Sequence, residues 1–236
     1  MQVTGDVMVS DEVPVAVRVD RWRGGLPPDA WPDSLPSTGV IWRRDAFAVA
    51  EAYRAGSASA RQLLAAVLAW AYGPIGYGPW RAARSLAADP QGTRLAYALE
   101  GVSGPTPDDV ALGRAYRRLR DPDQARLPWL GPGLVTKVLY FVGYRRGVGG
   151  VQPLVLDRVV ASRLPAEAGV HRPNGWSAEE WLAYLRWAAE QANSHGVEAD
   201  AVEMALRRGA EALVEGVEVG DEPDVPGLVR FVHQSP

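Results

Sequence analysis

Only one residue in this chain combines a titratable amine with a position among apolar neighbours. Lys137 is the single lysine against 24 arginines. Wherever the surface needs positive charge, arginine supplies it. Arginine stays protonated in a protein and cannot act as an amine nucleophile, whereas a lysine held among apolar side chains loses its proton near neutral pH. Between Arg126 and Tyr144 the only other ionisable side chain is Tyr140, and Leu134, Val135, Val138, Leu139, Phe141 and Val142 surround the lysine in sequence. A carboxylate, Asp157, follows twenty residues later, and the turn-forming triplet Gly131-Pro132-Gly133 precedes it with three residues between. Taken singly, each has a bland explanation. A lone lysine can snorkel from a buried helix to water, and an aspartate at a helix N-cap is most often structural. The layout of the three together makes Lys137 and Asp157 candidate catalytic residues.

These residues need elements to hold them. Leu127-Pro128-Trp129-Leu130-Gly131-Pro132-Gly133 reads as a hairpin, residues 134–146 as a helix ended by Gly147-Val148-Gly149-Gly150, and Asp157 as the N-cap of the next helix. Upstream, apolar periodicity and caps predict helices over 44–55, from Ser57 or Ser59 to about residue 73, over 79–88 and over 93–100, with a further start at Thr106-Pro107-Asp108-Asp109. Gly73 to Gly78 reads as a turn between helices, with Arg81 a minor candidate for the cleft. Downstream, Ser177 to Glu180 resembles a capping box for a Trp-rich helix over 179–193, followed by a helix over 198–215. The organisation expected is an irregular, Pro- and Gly-rich arm over 1–40 with a short strand near 13–19, a helical domain over 41–216, and a C-terminal tail over 217–236.

Composition narrows the chemistry. Absence of cysteine excludes disulfides, thiolate metal sites and cysteine nucleophiles, and three histidines without ligand spacing make a metal site unexpected. No cofactor is expected. The formal charge of -3 hides an asymmetry: residues 1–113 carry -2, residues 114–163 carry +7 and residues 164–236 carry -8. A basic block between acidic flanks fits a phosphate-facing surface, although solvated helices also produce such runs. No apolar run is long enough to span a membrane and the N-terminus is acidic, so a cytoplasmic protein is expected, as a monomer.

The stretches LPWLGPGLVTKV and PLVLDRVVA, over about residues 110–165, resemble the helix-hairpin-helix DNA glycosylase signature, and within that superfamily the 8-oxoguanine DNA glycosylase branch. The resemblance implies a mainly α fold, a helical bundle in two lobes around a cleft with the hairpin at its mouth. It also implies base excision from DNA with Schiff-base lyase activity on 8-oxoguanine or another modified purine, Lys137 attacking the sugar and Asp157 stabilising charge. Leu130, Gly131 and Gly133, with Arg126, Arg145 and Arg158, become the candidate DNA-binding residues, and Arg114, Arg117, Arg118 and Arg146 further backbone contacts. A base flipped from the stack would meet Trp176, Trp181 and Tyr184. The chain departs from the signature in the extra residues between glycines and lysine, and it has no four-cysteine cluster and no room for an N-terminal sheet domain.

Two other readings stay open. One is a non-catalytic helix-hairpin-helix module binding nucleic acid or a partner, against which the retained lysine counts. The other is a Lys/Asp enzyme acting on a different N-glycosidic bond, in RNA, a nucleotide or a modified base.

Overall fold

The computed structural model describes residues 14–37 and 39–208. The expected C-terminal tail, and the helix turns expected beyond 208, lie outside the described residues. The described chain is mainly helical: Val19–Gly25 (α1), Arg43–Arg54 (α2), Ala60–Tyr72 (α3), Gly78–Ala87 (α4), Thr93–Leu99 (α5), Asp109–Arg120 (α6), Pro132–Gly143 (α7), Arg158–Ala161 (α8), Ala178–His195 (α9) and Ala199–Arg208 (α10). A 3-10 turn at Ala166–Ala168 and a two-residue antiparallel ribbon, Val15–Ala16 (β1) on Val40–Ile41 (β2), complete it.

Helices α3 and α7 are predominantly apolar, and such helices are buried over most of their surface. Leu63 through Ala69 of α3 and Val138 through Val142 of α7 are buried accordingly. Each large side chain so enclosed contributes about 1.5–3 kcal/mol. Phe47 of α2 and Trp70 of α3 close on Phe141 of α7 edge to face, with ring centroids 4.9 and 5.1 Å away. The amphipathic helices α2, α4 and α6 pack around this pair.

Local chemistry sets the boundaries. Ser59 accepts the Gln62 N–H at 3.2 Å while Gln62 Oε1 accepts the Ser59 N–H at 2.9 Å, and Ser177 and Glu180 repeat the reciprocal cap on α9. The start of α6 differs from expectation. Asp108 is the cap, accepting the Ala111 N–H at 2.7 Å, and Pro107 sits outside the helix, packed toward Gly143. The helix α7 stops at Gly143, earlier than its glycine run, because Tyr144 turns extended and Arg145 folds back onto the helix-end carbonyls. The irregular arm also needs correcting. Its residues 19–25 form α1, and Trp22, Ala30, Trp31 and Leu35 are buried in the core, Trp22 lying 6.5 Å from the Tyr72 ring. Burial of two tryptophans overrides the Pro and Gly content that suggested a loose segment. Among the described residues no helix is long and apolar enough to cross a membrane.

Candidate active site

Lys137 stands in the middle of α7, and Asp157 caps α8 after an extended stretch, residues 152–156, that is buried. Three anchors hold that stretch. Trp181 Nε1 donates to the Leu154 carbonyl at 3.1 Å, the Tyr184 hydroxyl to the Val155 carbonyl at 3.4 Å, and Thr136 Oγ1, one residue before the lysine, accepts the Leu156 N–H at 3.0 Å. Thr136 is itself fully buried. Gly133 lets the first turn of α7 come close: a Cβ there would lie 3.4 Å from both Asp157 Cβ and the Leu156 carbonyl oxygen.

The result is a contact at 3.0 Å between Lys137 Nζ and Asp157 Oδ2, with the two side chains 13 % and 18 % exposed. The other carboxylate oxygen, Oδ1, accepts the Val159 and Val160 N–H groups at 3.1 and 3.2 Å. A second cation shares Oδ2. Arg207 of α10 donates to it through Nη2 at 3.0 Å, and through Nε to Glu203 at 2.8 Å. Glu203, with no exposed surface, also takes Arg43 Nη1 of α2 at 3.1 Å, and the same Nη1 reaches the Tyr140 hydroxyl.

Electrostatics follow from this arrangement. Burial is the largest influence on Lys137 and pushes its amine below the ordinary lysine range; Asp157 pulls it back up, and Arg207 pushes it down again. Burial alone would raise Asp157, but the Lys137 and Arg207 cations and the helix N–H groups hold it well below the usual carboxylate range. Asp157 is therefore ionised, and the lysine proton is loosely held.

Lys137, Asp157 and Arg158 face a cavity of about 230 Å³ with Gly131, Gly133 and Trp176. The N-terminal end of α7, with Pro132 in its first turn, opens on it, where the helix dipole favours an anion. Among the described residues no group of three or more His, Asp or Glu side chains is placed to hold a metal.

The structure does not bring all candidates to this cavity. Leu130 is buried and its N–H donates to the Leu127 carbonyl, so it anchors the loop instead of offering a donor to phosphate. Arg145 donates to the carbonyls of Val142, Tyr144, Ser103 and Gly104, a staple at the opposite end of α7. Trp181 and Tyr184 have no exposed surface: Trp181 stacks on Tyr116 with centroids 5.3 Å apart, and both side chains pin the buried segment leading to Asp157. They correct the base-pocket expectation, because an aromatic stripe on a helix reveals burial but not what it is buried against. Arg117, Arg118 and Arg146 are paired with Glu179, Glu100 and Asp200. Arg81 lies over the Tyr77 and Trp129 rings. Arg126 and Arg114 are exposed.

Sequence reading missed Arg207, Glu203 and Thr136. The Glu203/Arg207 spacing of four on a helix was a visible pair, but nothing in it announced Asp157 as a third member.

A buried amine loosened beside a fixed carboxylate, at the mouth of a helix N-terminus, suits nucleophilic attack on an electron-poor carbon. The chain belongs to the family described as "OGG: Putative 8-oxoguanine DNA glycosylase OGG-like protein", whose model matches residues 10–206. At family level this is a DNA glycosylase, with DNA as its partner. No curated protein and no solved structure matches the chain significantly.

Proposed function

We propose that the protein removes a modified purine, 8-oxoguanine or a related lesion, from DNA and then opens the strand as a Schiff-base lyase. The observation that carries this reading is the 3.0 Å contact between Lys137 Nζ and Asp157 Oδ2 at the cavity. Helices α6 and α7 with the loop between them serve as a helix-hairpin-helix grip on a phosphate, with Gly131 and Gly133 giving close approach and Arg126 and Arg158 adding charge. The base reaches the cavity by flipping from the stack, because the sugar carbon is shielded in an intact duplex. The protein acts as a monomer.

The lysine lone pair attacks C1′. The glycosidic C1′–N bond breaks, and the base leaves with that electron pair and takes up the proton shed by the lysine nitrogen. The sugar ring then opens, C1′–O4′ breaking as O4′ gains a proton, to leave an iminium between C1′ and Nζ. Loss of a C2′ proton expels the 3′ phosphate. Asp157, held ionised, stabilises the positive charge that develops at C1′. Each step uses groups of this chain, DNA and water.

Borohydride reduces the iminium to a stable amine and so tests the reading. Wild type trapped on an 8-oxoguanine duplex, with Lys137→Gln giving no adduct, is the expected result. An adduct on an abasic duplex alone supports the amine and moves the substrate to another base. No adduct on either duplex overturns the lyase.

A further inference from the structure

The loop before α7 carries a feature that the excision chemistry does not use. Trp129 is 48 % exposed and Trp80 of α4 is 50 % exposed, with ring centroids 5.3 Å apart. Tyr77, also half exposed, stands beside them, and Arg81 and Arg84 lie against these rings: Arg81 is 4.1 Å from the Tyr77 centroid and 5.0 Å from Trp129, Arg84 5.1 Å from Trp80. Trp129 is the one described residue other than glycine with positive φ, +64°. An L side chain adopts that backbone at a cost, and a ring left half in water does little to offset it by burial. The loop is held in place regardless, because the buried Ser85 hydroxyl donates to the Pro128 carbonyl at 2.6 Å.

Charge identifies the occupant. Neither α4 nor residues 124–131 contain a carboxylate, while they contain Arg81, Arg84 and Arg126. Half-exposed rings with guanidiniums lying against them complement a polyanion that carries flat rings. In a duplex those rings are already stacked on each other, whereas a single strand offers them freely. Trp129 is also two residues, at most about 7 Å along the chain, from Gly131, which lines the cavity.

We propose that Trp80 and Trp129 form a stacking platform for single-stranded DNA beside the active-site cavity, so that the preferred substrate carries an unpaired stretch next to the lesion. This rests on the DNA reading above. The test titrates the full-length protein with an undamaged, fluorescein-labelled single-stranded 12-mer and with a blunt duplex of the same sequence. Trp129→Ala and Trp80→Ala are expected to weaken single-strand binding roughly 5- to 150-fold, the range for losing one stacked base, and Trp80→Ala, on α4 and outside the hairpin, to change duplex binding less than about two-fold. Trp129→Phe keeps a π-face and stays within a few-fold of wild type. Trp129→Gly accepts the left-handed backbone without strain, so it holds the fold yet binds single strand as weakly as the alanine variant. Unchanged single-strand binding in both alanine variants overturns the proposal, as does an equal loss on single strand and duplex in Trp80→Ala; a protein partner would then be the occupant. No lesion or covalent step is scored here. Failure of borohydride trapping therefore leaves this result standing, and failure of stacking leaves trapping standing.

Discussion

Arg207 donates to Asp157 at 3.0 Å, on the same Oδ2 that receives Lys137. Two cations on one oxygen is an arrangement that favours losing the more labile proton, and only lysine can lose one. The arginine thereby holds the carboxylate in place while making the charged form of its neighbour less favourable.

Arg207→Gln is expected to let the lysine pKa rise. Adduct formation at neutral pH should fall roughly ten-fold for each unit of that rise, and recover at higher pH. The check is the single-turnover trapping rate against pH for wild type, Arg207→Gln and Arg207→Lys. A rate lowered equally at every pH would assign Arg207 a purely structural part.

Asp157→Asn keeps an oxygen for the α8 cap but removes the charge that the proposed mechanism sets against C1′. Adduct formation should drop on the order of 10²- to 10³-fold, the usual effect of deleting one electrostatic stabiliser. Circular dichroism should remain near wild type.

Acid stability carries its own signature. The folded-state pKa of Asp157 is depressed, so its contribution is present above the ordinary aspartate value of 3.8 and is lost as pH falls from there toward the lower folded value. Wild type should lose melting temperature over that interval more steeply than Asp157→Asn. Parallel curves would argue against the ion pairs.

Thr136→Val leaves the Leu156 N–H without its acceptor in a fully buried position. Unfolding should become easier by about 1–3 kcal/mol, with the trapping rate falling as Asp157 loosens. Thr136→Ser retains the hydroxyl and should restore both, as read by urea denaturation.

Glu203→Ala strips the buried partner from Arg43 and from Arg207 together. A loss of about 3–5 kcal/mol is expected, since it leaves the nearly buried Arg43 charge uncompensated. Thermal denaturation measures it directly.

What the sequence made legible was what composition and local pattern can express. One lysine among 24 arginines, with an apolar helix around it, pointed to Lys137, and Asp-Arg-Val-Val announced a capped helix at Asp157. The capping box at Ser177 was read from four letters and occurs as read. Partners distant in sequence were not legible. Arg145 looked like a free surface charge because its four carbonyl acceptors come together only when the chain folds, and Trp181 looked available because periodicity does not say which face meets which neighbour. Arg207 stayed hidden for the same reason, fifty residues from the carboxylate it touches.

That distance has a consequence for how the site comes into being. Glu203 binds Arg43 across 160 residues and Arg207 binds Asp157 across 50, so α10 fastens α2 to the segment that carries Asp157. Contacts so remote in sequence carry a high loop-closure cost. Lys137 and Asp157 are positioned by α7 and by the α9 side chains of Trp181 and Tyr184, and the second cation is added by the final described helix. A chain without α10 therefore lacks both Glu203 and Arg207, so the far end of the described chain completes the charge arrangement around Lys137 and Asp157.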